Sequence, residues 1–394
     1  MKDIELFYFG EIGFYDEYNP QYVCSQKGAG RILYIIAENE PYSISDREII
    51  SQAEVTEEEF KAVITGLIRI EAVTMKKGRY KINFPVFCEN DIKFLNGYMK
   101  DAGKVLGDIV MSQDKEINRL ITKLSGYGKI DERRLRYHII CDSIFDGIAF
   151  DIFDKEKLVA VSKAQPGARD YIIIGYEKSE VVDNYSKLLL CSSNNYRSQH
   201  FRFNSFGDAD GKRKDIYRFF RMVQESVKKT PGFNYEIGSY LRINEENNYK
   251  LAENCGRLII QIYESPDGCL DIKDENKSEA EFLETMEYIS INDGKAQCRV
   301  PVFTKEDQEI IEEISKVVMY SIIKQIGELL SHIAEDCDNL TAVCHGVDIK
   351  DIGNELWHMI FGSINEYLAK KDYVENPVKV AGQGRYLRSF NMID

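Results

Sequence analysis

The sequence predicts an α+β protein, mostly α-helical, built as two diverged repeats of one unit with long flanking helices. Three observations carry that expectation. Apolar residues recur at helical spacing behind two adjacent capping boxes; short alternating segments meet at glycine turns; and one numerical offset maps much of the first half onto the second.

Residues 1–30 form an arm rich in aromatics (Phe7, Tyr8, Phe9, Phe14, Tyr15, Tyr18, Tyr22), interrupted by glycine and so expected to pack on the body without a long helix. Arg31 to Ala37 is an apolar helix stopped by Pro41. Ser45-Asp46-Arg47-Glu48 reads as a capping box that opens a helix to about Ala53. After a turn at Glu54-Val55, Thr56-Glu57-Glu58-Glu59 is a second box. The helix it opens runs to about Ile70, with Phe60, Val63, Ile64, Leu67 and Ile70 on one buried face. Ala72–Met75 and Arg79–Phe84 then form a hairpin turning at Lys76-Lys77-Gly78, with Tyr80, Ile82 and Phe84 alternating.

Three short helices followed by a hairpin resemble a winged helix-turn-helix domain of bacterial transcriptional regulators. The resemblance spans residues 31–87 and rests on element order. It implies duplex DNA as a partner, with the second helix of the pair entering the major groove and the hairpin, or wing, touching the backbone. The residues placed to do this are Lys61, Thr65 and Arg69 on the helix and Lys76, Lys77, Arg79 and Lys81 on the wing. Glu57-Glu58-Glu59 at the helix start suits the helix dipole and repels phosphate.

Beyond the hairpin, Asp91–Leu124 fits one or two amphipathic helices, Asp131–Phe153 a further helix, and Tyr171–Ile174 a strand. Pro85-Val86-Phe87 reappears as Pro301-Val302-Phe303, and 301 − 85 = 216. The same offset carries Gly78 to Gly294, Asp91 to Asp307, Lys100 to Lys316, Ile144-Phe145 to Ile360-Phe361 and Arg169 to Arg385. The second head is degenerate: Gly256-Arg257-Leu258 restarts the first helix, the Ser45 helix shrinks to Asp271-Ile272-Lys273-Asp274, and the next helix, from near Ser278, is short and acidic. Asn292-Asp293-Gly294 marks its hairpin.

The expected organisation is therefore the arm (1–30), the first winged helix (31–87), its helical region (88–190), an inserted segment (191–250), the degenerate winged helix (251–303) and its helical region (304–394). In the insert, Asn194–Arg197 and Gly207–Gly211 read as loops. Lys212-Arg213-Lys214 opens a basic helix carrying Arg218 and Arg221, a second surface for phosphate. The long helices at 91–124 and 307–332 are the expected place for the copies, or separate chains, to associate.

Composition bounds the function. A net charge of −14 over 394 residues confines any DNA-binding surface to a local patch on an acidic body. No run of about eighteen apolar residues offers a membrane span, the first residues lack a signal-peptide pattern, and nine scattered cysteines suit a reducing cytoplasm. Phosphate-loop, dinucleotide, zinc-protease and nucleophile-elbow motifs are missing, so no catalytic residue, cofactor or enzyme activity is expected. Cys337, Cys344, His345 and His358, or His138 with Cys141, lack paired metal-ligand spacing and read as buried thiols and hydrogen-bonded histidines. The reading is a DNA-binding regulator whose second copy serves assembly or effector sensing. The alternative is a protein–protein interaction module that uses the same scaffold without DNA.

Overall fold

The computed structural model describes residues 2–216 and 248–393, with about 51% helix and 19% strand, an α+β composition. In the first half, β1 (Ile4–Glu11) precedes α1 (Pro20–Cys24), α2 (Ala29–Ala37), α3 (Asp46–Ala53) and α4 (Glu57–Arg69). The hairpin β2 (Val73–Lys76) and β3 (Arg79–Ile82) follows, then β4 (Val86–Phe87). Next come α5 (Glu89–Ser112), α6 (Asp114–Ile121), α7 (Glu132–Arg136), a π-helix over Tyr137–Ile148, α8 (Ala149–Glu156), β5 (Ala164–Gln165), β6 (Arg169–Glu177) and α9 (Glu180–Ser186). The second half runs β7 (Ser192–Arg197), β8 (Phe201–Gly207), α10 (Asn248–Glu264), β9 (Cys269–Asp271) and α11 (Lys277–Thr285). It continues through β10 (Ile289–Asn292), β11 (Lys295–Cys298), β12 (Val302–Phe303), α12 (Lys305–Asp336), α13 (Thr341–Cys344), α14 (Ile349–Lys370), β13 (Lys379–Val380) and β14 (Gly384–Met392).

The two halves build matching sheets. In the first, β6 lies between β1, antiparallel, and β4, parallel, with β5 folded back on its start. In the second, β14 lies between β8, antiparallel, and β12, parallel, with β13 folded back in the same way and β7 added outside β8. A shared close approach underlies both. Gly30 in α2 lets Ile4 of β1 pass so near that a Cβ would stand 2.5 Å from its carbonyl oxygen, and a Cβ on Gly256 in α10 would stand 2.2 Å from the Phe201 ring of β8. Only glycine admits such an approach between a helix and a strand.

Several sequence expectations are corrected. Much of the aromatic arm is strand β1, because β6 supplies its hydrogen-bonding ladder from far along the chain. Asn194–Arg197 is part of β7, not a loop; β8 pairs with it and Tyr196 is buried, which overrides the low strand propensity of asparagine. Lys212-Arg213-Lys214 is irregular backbone and not a helix start. Asp271-Ile272-Lys273-Asp274 is not a shrunken helix: Asp271 ends β9, which pairs with β11 as a third strand of the second hairpin sheet.

The sequential division of the chain is also redrawn. One compact unit takes residues 1–106, 149–188 and 323–363; the other takes 107–148, 189–322 and 364–394. The segments 107–148 and 323–363 are equivalents at the repeat offset, since 323 − 107 = 216 and 363 − 147 = 216. Each unit thus keeps the head and sheet of one half and receives the helical segment of the other.

Equivalent polar joints fasten both received segments. In the first unit the buried Asp91 carboxylate accepts from the Cys88 amide at 2.6 Å, closing the start of α5, and from the Thr341 amide at 2.9 Å, at the start of α13. In the second, buried Asp307 accepts from the Thr304 amide at 2.8 Å and from the Ser125 amide at 2.9 Å and hydroxyl at 2.5 Å. Both carboxylates reach back over a helix start, where the dipole favours negative charge. Ser125 and Thr341 are themselves 216 apart.

Candidate nucleic-acid interface

The surface marked out by Lys61 to Lys81 is built by two neighbouring caps and one turn. At α3 the Glu48 carboxylate reaches back to accept from the Ser45 amide at 2.9 Å and hydroxyl at 2.6 Å. Glu54, at φ +51°, ends the helix, and Thr56 and Glu59 close a reciprocal box on α4 at 3.1 and 2.9 Å. These caps bound the two-residue turn, Glu54-Val55, between the two helices. Ile32, Leu33 and Ile36 of α2, Ile49 of α3 and Phe60, Val63 and Leu67 of α4 fill the core beneath them. The Phe60 and Tyr80 rings meet edge-on at 6.1 Å and join α4 to β3.

That packing leaves one face of α4 outside. Glu57, Lys61, Thr65 and Arg69 are exposed at four-residue intervals, a single stripe along the helix. Lys61 and Thr65 extend into solvent; Arg69 has Glu17 at 3.8 Å. Glu59 is held by its cap and by Lys27 at 2.8 Å, whereas Glu58 is exposed beside Glu57.

In the hairpin, Lys77 and Gly78 have φ of +53° and +69°, a two-residue turn with both central residues left-handed. The register pairs Lys76 with Arg79 and Thr74 with Lys81, placing three cations on one face of the ribbon; Val73, Tyr80 and Ile82 point to the core from the other. Ala72–Ile82 contains no acidic residue. Lys76, Lys77 and Arg79 are exposed, with no ion-pair partner among the described residues; Lys76 Nζ lies 6.0 Å from the Tyr42 ring. Lys81 is different. It is half-buried, and its Nζ donates to the His345 carbonyl at 2.8 Å, so it ties the ribbon down.

The second head lacks this pattern. No helix stands between α10 and α11 in place of α3. Its hairpin turns identically, with Asp293 at φ +51° and Gly294 at +77°, but Lys295 is the one cation between Ile289 and Cys298. On α11, Glu281 and Glu284 are exposed, and Glu284 accepts from the Ile291 amide at 2.8 Å.

The second basic surface is not assembled as the sequence suggests. Arg213 is buried, and its guanidinium donates to the carbonyls of Ser192, Ser205 and Asp208. Lys212 is exposed, Lys214 is half-buried against Tyr386, and Arg218 and Arg221 lie outside the described residues. Fixing three carbonyls, Ser192 of β7, Ser205 of β8 and Asp208 just beyond it, is a structural task, and it withdraws Arg213 from any surface.

The histidines and cysteines considered for metal are likewise committed elsewhere. Cys337 and Cys344 donate to the carbonyls of Ala334 and Asp338. His358 Nδ1 lies 3.0 Å from the Asn354 carbonyl, His138 is buried beside Asp142 at 3.5 Å, and burial pushes the Cys141 thiol well up. Among the described residues Glu38, Cys88 and Glu177 bring ligand-type atoms together, a grouping that sequence spacing did not reveal. Lys2 already places its Nζ 2.7 Å from Glu177, and the Glu89 amide donates to the other oxygen at 2.9 Å. The half-exposed Lys2 ammonium therefore neutralises this buried carboxylate.

His345 is the hydrogen-bonded histidine that the sequence leads one to expect, but its partners were not legible there. It lies 2% exposed against the hairpin. Its Nδ1 is 3.1 Å from the Ile82 amide and its Nε2 3.1 Å from the Ala37 carbonyl at the end of α2. A backbone N–H can only donate and a carbonyl only accept, so Nδ1 is bare and Nε2 carries the proton. Burial, then the charge of Lys81, holds this imidazole below the usual histidine range. No family model, curated protein or solved structure matches the chain.

Proposed function

We propose that the chain binds duplex DNA through the first head, as a winged helix-turn-helix regulator with an internal duplication. The observation that carries this is the acid-free hairpin whose exposed Lys76, Lys77 and Arg79 adjoin a doubly capped helix pair presenting Lys61, Thr65 and Arg69. Cations on a turn suit phosphate contacts, and a helix face bearing Lys, Thr and Arg suits base edges in the major groove. The second copy then serves assembly or effector sensing, since its head has lost the matching cations. Self-association through the helices of residues 91–124 and 307–332 and a cytoplasmic, bacterial setting complete the reading.

The test is binding of the full chain to labelled duplex across a salt series. Affinity should fall steeply with salt, and Lys76→Glu with Lys77→Glu should reduce the log–log slope by about two, roughly one for each phosphate no longer neutralised. Lack of binding at low salt overturns the reading. A second reading, a protein–protein module on the same scaffold, is favoured by Glu57 and Glu58 at the exposed start of α4, where phosphate would be repelled. Capture of a folded partner that Lys76→Glu leaves intact would support it.

A further inference from the structure

We infer that His345 is the positioning residue of the basic hairpin, and that through it the second half of the chain sets, in a pH-dependent way, how the first head presents its cations. The inference deepens the DNA-binding reading and rests on it for its functional consequence.

The geometry is specific. The loop after α13 reaches the hairpin at two points and the end of α2 at a third, all within one unit: Lys81 Nζ to the His345 carbonyl at 2.8 Å, the Ile82 amide to Nδ1 at 3.1 Å, and Nε2 to the Ala37 carbonyl at 3.1 Å. The ring thus bridges the end of α2 and the strand carrying Arg79 and Lys81. Gly346, at φ +74°, lets the loop turn in the left-handed region directly after His345. Ile82 is fully buried, and its amide needs an acceptor.

Only neutral imidazole can serve as that acceptor. Protonation would turn Nδ1 into a second donor facing the Ile82 N–H, and the joint would have to open. The charged groups facing the ring are Lys81 from β3, which opposes a second positive charge, and Glu40 beyond α2, which favours it; the Ala37 and Asn39 carbonyls also favour the cation. Burial outweighs these, and the folded chain holds this proton less tightly than the unfolded chain. The joint is therefore fully formed above the ordinary histidine pKa of about 6.5 and weakens as pH falls below it. Asp91 fixes Thr341 four residues before His345, so the loop is anchored independently of the ring.

The experiment uses the full chain, a short labelled duplex of mixed sequence, and pH from about 7.5 down to 5.5. Two variants accompany the wild type: His345→Asn, which keeps an acceptor and cannot become charged, and His345→Leu, which has none. Acid ordinarily strengthens protein–DNA attraction by adding positive charge. The expected result is opposite: wild-type affinity falls about fivefold towards low pH, the effect of one broken hydrogen bond. His345→Asn stays flat, and His345→Leu is weak at every pH. A wild-type fall towards low pH retained in His345→Asn, or wild-type affinity in His345→Leu, overturns the inference. Hydrogen exchange at the Ile82 amide separates it from the binding reading. If no DNA binds at any pH, the reading fails, while acid-enhanced exchange in wild type but not in His345→Asn still supports the joint. Exchange that ignores both pH and substitution overturns it.

Discussion

Replacing Asp91 by alanine tests whether the segment received from the other half of the chain is held as its hydrogen bonds imply. The carboxylate is 3% exposed and accepts two backbone amides, Cys88 at 2.6 Å and Thr341 at 2.9 Å. Hydrogen bonds to a charged acceptor contribute about 1.5–3 kcal/mol each, so two would give about 3–6 kcal/mol. Two effects reduce that figure. Burial pushes the Asp91 carboxyl up, a sign that the charge is costly where it sits, and alanine removes the cost. Water can also enter beside Thr341. The expected loss is about 2–4 kcal/mol.

The chain contains one tryptophan, Trp357, fully buried in α14 against Phe153 at 4.9 Å, in the unit that Asp91 fastens. Its fluorescence reports on that unit. With a urea slope of about 3 kcal/mol per molar for a unit of this size, the midpoint should fall by about 1 M. Asp91→Asn keeps one acceptor oxygen and should lose about half as much. A midpoint within about 0.2 M of wild type would refute the claim that this carboxylate is the joint.

Other substitutions probe separate parts of the structure. Gly30→Ala places a Cβ 1.9 Å from Asp3 Oδ1 and 2.5 Å from the Ile4 carbonyl, and should cost about 1–3 kcal/mol in thermal unfolding. Gly97→Ala, in α5 with open space around it, should instead add about 0.5–1 kcal/mol. Arg169 donates to the carbonyls of Ile12 and Phe14 and pairs with Asp16 at 2.7 Å, so Arg169→Ala should speed proteolytic cleavage between residues 12 and 18. Arg213→Glu should destabilise by more than about 3 kcal/mol in calorimetry, by stranding three carbonyls and burying an unpaired charge. The salt slope of DNA binding by folded protein should stay unchanged, which a surface phosphate contact would not allow.

Local chemistry was the legible part of the sequence. The Ser45 and Thr56 boxes, the Lys77-Gly78 and Asp293-Gly294 turns and the helical face of α4 are each written within a few residues, and the structure forms all of them. The offset of 216 also pointed to positions that matter physically, Asp91 and Asp307 among them. Long-range partnership was not legible. Ile4–Phe9 reads as an apolar, aromatic arm until β6 stands beside it, 173 residues away at the Ile4–Glu177 pair (177 − 4). Arg213 looked like part of a basic run because composition does not say which cation will find three carbonyls. Nothing in the pattern of His345 pointed to Ile82, since a lone histidine after a short helix carries no periodic signal.

The exchange of segments gives the second half a place in the unit that holds the basic hairpin, although its own hairpin carries a single cation, Lys295. Buried Leu340, Ile352, Trp357, Ile360 and Phe361 belong to the second half of the sequence but fill the unit that contains the first head. Equivalents in the first half, Leu124, Cys141, Ile144 and Phe145 among them, are buried in the other unit. A chain cut after residue 190 would keep both capping boxes and every cation of the hairpin, but Asp91 and Ile82 would be without their Thr341 and His345 partners. It would also expose the apolar surface that the received segment covers. At about 1.5–3 kcal/mol for each large side chain left uncovered, that loss exceeds the whole stability of an ordinary domain. The truncated chain is therefore expected to aggregate, or to bind DNA only when residues 191–394 are supplied with it. A truncated first half that stayed monomeric and bound DNA like the full chain would refute the exchange as a requirement of the fold.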